Sequence, residues 1–362
     1  MTSQCSAQID AFRDLSRIFG SRDGRVLEFE ILPPAFGSLL EDGCSIGVTK
    51  KYLVQAFVAA RRAFFDGLKS SRYNGSHSSP EICGQKHPDK ELDQTLAIAS
   101  EIMLLFDCEH LTACNWRKRR LTALGDLVQE EFFHALDTEL SLTTSYLCSP
   151  LHRHTKSPTL WQHRQWVREH LVRLRKPSAQ AAQELLKAEL SAVLLAGERH
   201  PKNYYAFTYM RQIHRIVSEA SEGEIEGNST RLAQSIITPT LDWCLAHPTD
   251  ISGLMFLLYL LDAVGDAALR LETVGRVTRF ALDIGWEGES IWSFVDLAVR
   301  KFNLAGFVGD PQTYPWDIFL NPVLSDKFQH GDSKCRAPWK AWLDRAQIHW
   351  TLTQPSTNNP PA

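Results

Sequence analysis

The side chains able to do chemistry in this chain are scattered rather than gathered. His152 and His154 follow Cys148, and Cys108 and His110 precede Cys114. Thiolates and imidazoles are common zinc ligands, but a structural zinc set pairs them at short, fixed spacings. Neither group has that pairing, so no metal site is expected in this chain. Nothing matches G-x-x-x-x-G-K-[ST] or H-E-x-x-H, so neither a phosphate-binding loop nor a zinc-hydrolase motif is present. The eight cysteines (Cys5, Cys44, Cys83, Cys108, Cys114, Cys148, Cys244 and Cys335) include no C-x-x-C pair. In a chain this long that usage reads as reduced thiols, hence a cytoplasmic protein.

What does recur is an aromatic residue with an arginine close behind it. Asn115-Trp116-Arg117-Lys118-Arg119-Arg120 is one cluster, Trp161-Gln162-His163-Arg164-Gln165-Trp166 a second, and Asn203-Tyr204-Tyr205-Ala206-Phe207 with Arg211 a third. Trp116 and Trp161 are 45 residues apart, Trp161 and Phe207 46, and Phe207 and Leu254 47. A weaker unit, Glu289-Ser290-Ile291-Trp292, follows 38 residues after Leu254. Near-equal intervals of this size are the signature of a helical-hairpin array, and they are too long for a tetratricopeptide period of about 34.

The elements that must position these residues are helices. Ala181–Ala196 places Leu185, Leu186, Leu190, Val193 and Leu194 on one face. A turn with Gly197 and Pro201 follows, then the aromatic cluster on a second helix. Pro158 suits a first helical turn, and Ser157 and Asn203 suit caps. Trp116 with Arg119, and Trp161 with Arg164, share a helix face by their three-residue spacing. Their simplest role is structural: the ring fills a seam between helices and the arginine bridges to a carboxylate or carbonyl of the next repeat. Tyr204 and Tyr205 suit packing or interface positions. The predicted fold is all-α, a right-handed superhelical solenoid of antiparallel helix pairs. Only Leu27–Leu32 alternates like a strand.

The predicted organisation has four parts. Residues 1–90 form an irregular and helical N-terminal cap, with Thr49–Phe65 helical and Ser70–Lys90 an exposed loop. Residues 91–302 hold five repeats, with an acidic loop at Glu222–Asn228. Residues 303–350, with Trp316, Trp339, Trp342 and Trp350, form a helical C-terminal cap, and 351–362 a disordered tail.

The chain has 362 residues, 44% of them apolar and 22% charged, and a net charge of −3. That balance argues against a nucleic-acid binder, which would carry a basic excess. Leu254–Val264, the longest apolar stretch, is too short to cross a bilayer. Met1–Phe19 lacks the apolar core of a signal peptide, and Asn358–Ala362 carries no prenylation box.

Pro201-Lys202-Asn203-Tyr204-Tyr205-Ala206-Phe207, with Arg211, resembles the repeat of protein prenyltransferase alpha subunits. Trp161-Gln162-His163-Arg164-Gln165-Trp166 is similar to the same family's W-x-H-R-x-W core, and Glu289-Ser290-Ile291-Trp292 to its degenerate last repeat. The likeness spans roughly residues 91–302. Thr112–Arg120 and Lys156–Trp161 are most similar to a divergent branch of that family. There are departures: Ser157 stands where Asn is usual, Pro158 where Tyr is, Tyr205 where His is, Phe207 where Trp is and Met210 where Arg is. Asp250–Leu254 has lost its aromatic.

The resemblance implies a crescent of helix pairs wrapped around a beta subunit, the Rab-type geranylgeranyltransferase beta subunit for this branch. That partner would hold the zinc and most of the isoprenoid pocket, leaving no cofactor in this chain. It also implies that prenyl diphosphate lies at the subunit interface and that a geranylgeranyl group passes to a C-terminal cysteine of a substrate protein. Lys156 takes the family's lysine at the diphosphate end, and Lys202, Asn203, Tyr204 and Tyr205 the stretch facing the beta subunit or substrate. The aspartate-rich motif of free-standing isoprenoid synthases is absent, so this chain would not act alone. A non-catalytic helical scaffold, or an escort for a prenylated client, is the alternative reading.

Overall fold

A computed structural model describes residues 2–76, 90–125, 129–221, 227–304 and 337–353. The chain divides into two compact units, one of residues 1–178 with 188–220, the other of 179–187 with 221–362. The architecture is an all-α helical repeat, with one small sheet near the N-terminus.

The first unit opens with α1 (Thr2–Gly20), whose Ala11, Leu15, Ile18 and Phe19 are buried at helical spacing. Three short strands follow: β1 (Glu28–Leu32), β2 (Leu39–Asp42) and β3 (Ser45–Thr49), in the order β1-β3-β2. β1 runs parallel to β3 with Phe29 opposite Ile46, and β2 runs antiparallel to it with Leu40 opposite Gly47. The alternation at Leu27–Leu32 is therefore a real strand. Phe29, Ile46 and Val48 are buried, whereas Glu28, Glu30 and Leu40 are exposed.

Helices α2 (Lys50–Ser76), α3 (Lys90–Phe106), α4 (Leu111–Gly125), α5 (Gln129–Leu147) and α6 (Pro158–Arg175) follow. Each packs on its sequence neighbour from α1 to α6, and α5 also meets β1. Leu27 N and Phe29 N donate to Ser145 Oγ at 2.9 Å and Ser149 Oγ at 2.8 Å, so α5 and the turn after it close the far edge of β1. The loop predicted for Ser70–Lys90 is corrected at both ends, because α2 continues to Ser76 and α3 begins at Lys90. Once nucleated, a helix extends through polar residues at one hydrogen bond per residue. Residues 77–89 lie outside the described residues. The unit ends with the second half of α7 (Ala179–Arg199) and with α8 (Tyr204–Ser221).

The second unit holds the start of α7 and then α9 (Asn228–Ala246), α10 (Ile251–Ala263), α11 (Ala267–Asp283), α12 (Glu289–Phe302) and α13 (Pro338–Thr353). Asp250 caps α10 by accepting from Ser252 N and Gly253 N, and Asp266 caps α11 by accepting from Ala268 N and Leu269 N. In α13, Trp342 Nε1 donates to Asp296 of α12 at 3.1 Å and Trp350 Nε1 to the Leu282 carbonyl at 2.7 Å. Two predicted coil segments are corrected here. Asn228 opens α9 instead of ending a loop, and Thr351–Thr353 continue α13 instead of starting a tail. The rest of the acidic loop (222–226), the segment 305–336 with Trp316, and 354–362 lie outside the described residues.

Candidate functional site

The helix caps set the true register of the repeat. His110, Ser157, Asn203, Asp250 and Gly288 stand immediately before α4, α6, α8, α10 and α12, at intervals of 47, 46, 47 and 38 residues. Ser157 Oγ accepts from Leu160 N at 3.1 Å, and Asn203 Oδ1 from Ala206 N at 3.2 Å, as their side-chain chemistry suggests. Pro158 occupies the first turn of α6, where its missing N–H costs nothing.

Four positions after each cap a side chain fills the seam: Cys114, Trp161, Phe207, Leu254 and Trp292, all buried. Trp161 Nε1 donates to the carbonyl six residues back, Thr155, at 2.9 Å, and Trp292 Nε1 does the same to Trp286 at 2.7 Å. The last, weak unit thus reproduces the geometry of the second.

This register corrects the first unit. Trp116 lies two positions beyond the seam, half-buried and edge-on to Phe64 at 5.5 Å. Arg119 is exposed and donates to the Asn115 carbonyl in its own helix. The seam residue is Cys114, and the buried arginine is Arg117. The large Trp116 ring misaligned the unit because Trp116-x-x-Arg119 mimics Trp161-x-x-Arg164. Arg211 falls one position past the arginine site, which Met210 fills.

Arg117 and Arg164 make equivalent networks. Arg117 donates to both Glu139 oxygens, at 2.7 and 2.5 Å, and to Ser100 Oγ and the Ala97 carbonyl. Arg164 donates to both Glu189 oxygens, at 2.9 and 3.0 Å, and to Thr143 Oγ1 and the Leu140 carbonyl. Six positions after the next cap, His163 meets Glu139 at 2.6 Å and the Tyr209 hydroxyl donates to Glu189 at 2.5 Å. Burial alone would raise the Glu139 carboxyl, but the Arg117 charge and the His163 hydrogen bond hold it well below the usual carboxylate range. Glu189 is likewise penalised by burial and pulled down by Arg164 and Arg168, to about 2. These carboxylates are fully paired inside the protein, so they tie repeats together and are not available for chemistry.

The remaining candidate side chains lie at the turns between helices. Thr155 is buried and its carbonyl accepts from Trp161 Nε1 and, at 2.7 Å, from Asn203 Nδ2 of the following repeat. Lys156, the next residue, is half-buried. Its neighbourhood includes His200, whose imidazole burial shifts toward the neutral form, as do the charges of Lys156 and His152. The rings of His152 and His200 are 4.3 Å apart. Lys202 is exposed on a left-handed backbone with φ of 59°. Tyr204 and Tyr205, 57% and 48% exposed, begin α8. The structure thus brings Lys156 near the Pro201–Tyr205 turn through Asn203 and His200. Sequence reasoning missed Thr155, His152 and His200 in this role. It also missed Arg117, which the 47-residue interval to Arg164 could have revealed.

The two turns carry the cationic Lys156 and Lys202 and the exposed rings of Tyr204 and Tyr205. Among the described residues no three His, Cys, Asp or Glu side chains gather as a ligand set. Burial pushes the thiols of Cys108, Cys114 and Cys148 up to about 11, 12 and 11, against the thiolate a metal needs. No described helix is long and apolar enough to cross a membrane.

Residues 186–216, the second half of α7 with most of α8, match the protein prenyltransferase alpha subunit repeat. The chain is also 28% identical over 184 residues to the zebrafish (Danio rerio) protein prenyltransferase alpha subunit repeat-containing protein 1. The match covers 47% of this chain and 38% of that relative, so the chain spans well under half the length of the curated relative it matches. The chain therefore carries the prenyltransferase alpha subunit repeat, as its Asn203–Phe207 and Trp161–Trp166 motifs suggest.

Proposed function

We propose that this chain is the alpha-type subunit of a heterodimeric protein prenyltransferase in the cytoplasm, not catalytic alone. In this reading it transfers a geranylgeranyl group from prenyl diphosphate to a C-terminal cysteine of a substrate protein. The Rab-type geranylgeranyltransferase beta subunit is its partner and holds the zinc and the isoprenoid pocket. The observation that carries the reading is the hydrogen bond from Asn203 to the Thr155 carbonyl, which fixes the turn bearing Lys156 beside Tyr204 and Tyr205.

The reaction breaks the bond between C1 of the prenyl chain and the diphosphate oxygen and forms a bond from C1 to sulfur. Zinc in the partner would favour the substrate thiolate at neutral pH. Negative charge grows on the departing diphosphate. Lys156 offsets that charge from a backbone position clamped by two hydrogen bonds, so little reorganisation accompanies the step. Lys202 adds positive charge at the same turns. Tyr204 and Tyr205 offer apolar faces with polar tips, the usual make-up of an interface anchor.

A second reading is a non-catalytic scaffold or escort, favoured by the exposure of Tyr204 and Tyr205, which could bind a partner without chemistry. The two separate on co-expression with the beta subunit and transfer of labelled geranylgeranyl to lysate proteins. Stable pairing with transfer, lowered about tenfold or more by Lys156→Ala, supports the subunit reading and the lysine's role. Pairing with transfer untouched by Lys156→Ala removes the lysine. Pairing without transfer leaves the scaffold, and absence of pairing sinks the subunit reading.

A further inference from the structure

Beyond that reading and independent of it, we propose that the outward face of α2 docks on a bilayer surface rich in anionic lipid. At the helical repeat of about 3.6 residues per turn, Lys50, Lys51, Arg61, Arg62 and Lys69 fall within an arc of about 120° on α2. All five are exposed. The opposite side carries Leu53, Ala56, Ala60 and Phe64, all buried, so the basic arc points away from the core.

No acid lies within the arc. Asp66, the carboxylate that α2 carries, stands at its margin and pairs with Lys69 at 3.3 Å. Packed against α2, α1 brings Asp10 and Asp14, but Arg13 pairs with the first at 2.9 Å and Tyr52 donates to the second at 2.6 Å. Lys50, Lys51, Arg61 and Arg62 have no ion pair among the described residues. In a chain of net charge −3 this face is a local reversal of sign, and its complement is a negatively charged surface.

The apolar residues of the face choose among polyanions. Val54, Val58 and Phe65 lie in the same arc, between the cations; Val54 is 37% exposed and the other two are half-buried. Arg61 lies over the Phe65 ring, 5.1 Å from its centroid. A soluble polyanion meets the cations alone. A bilayer interface meets both: lipid phosphates and carboxylates face the ammonium and guanidinium groups, and the apolar side chains turn toward the acyl boundary. The shape agrees. From Lys50 to Lys69 the face runs about 28 Å along one helix, a convex ridge that a plane touches along its length, whereas a peptide is held by a groove or a strand edge.

The test uses the full chain and sedimentation with vesicles of phosphatidylcholine, alone or mixed with phosphatidylserine. Binding is expected to the mixed vesicles and not to the neutral ones, weakening as salt rises. Lys51→Glu/Arg62→Glu/Lys69→Glu should weaken it by more than about tenfold, and the milder Lys51→Gln/Arg62→Gln/Lys69→Gln by about tenfold. The same charge change on α6, α7 and α8, as Arg173→Glu/Lys187→Glu/Arg215→Glu, should leave binding within about twofold, which separates this face from net charge. All the substituted positions are exposed, and circular dichroism checks that each variant is folded. Soluble polyglutamate should compete poorly, because it leaves Val54 and Phe65 uncovered. Absence of binding, equal binding to neutral vesicles, or undiminished binding by the α2 variants overturns the proposal. Full displacement by polyglutamate also overturns it, in favour of an acidic partner protein.

Discussion

The side-chain amide of Asn203 donates to the carbonyl of Thr155 at 2.7 Å, while its oxygen caps α8 by accepting from Ala206 N. One buried residue thus starts the helix of the third repeat and holds the turn of the second, immediately before Lys156. Asn203→Ala removes both bonds. It should cost about 1–3 kcal/mol, a lost cap plus a weakened buried acceptor. Urea unfolding measures this, and a loss under about 0.5 kcal/mol would mean the amide does not clamp the turn.

The repeat register predicts opposite outcomes for two arginines on one helix. Arg117→Ala strands Glu139 and should destabilise by about 3–5 kcal/mol. Arg119→Ala, at an exposed position, should change stability by no more than about 0.5 kcal/mol. Thermal melts of the two variants decide it. Equal losses would restore the aromatic-anchored register.

Acid should unfold the first unit through Glu139 and Glu189. Both carboxyls are held below the ordinary value of 4.5 in the folded chain. A depressed folded value means that stability is fully present above about pH 4.5 and is lost as the pH falls towards the folded value, about 2 for Glu189. Melting temperature should therefore fall steeply between those limits. Glu189→Gln should be less stable at pH 7 but show a shallower acid slope. An unchanged slope would show that this carboxylate is not depressed.

In the second unit, Gly253 allows α9 and α10 to approach. A Cβ there would meet Trp243 Cζ3 at 2.6 Å and Cys244 Sγ at 3.2 Å. Trp243 thus supplies from α9 ring volume that the fourth repeat lacks at Leu254. Gly253→Ala should destabilise by about 1–3 kcal/mol despite the better helix propensity of alanine. A stabilised variant in chemical denaturation would show that Trp243 swings aside freely.

The helical-hairpin grammar was legible in the sequence because it depends on local facts. Apolar spacing marks a buried helix face, Pro158 opens a helix, and Ser157 and Asn203 have oxygens that cap one; none of this needs a distant neighbour. Trp161, Phe207 and Trp292 were also readable as seam residues, since rings that large at near-equal intervals must be buried together. What the tertiary structure alone decided is which chemical groups meet. Cys114 carries no sign that it shares the seam position with Trp161, and Arg117 looks like its exposed neighbour Arg119 until α5 brings Glu139 against it. The turn bearing Lys156 acquires its place through Asn203, 47 residues further along the chain. Such partners are set by the packing of one helix pair on the next, and that packing is a property of the summed buried surface rather than of any local run of residues.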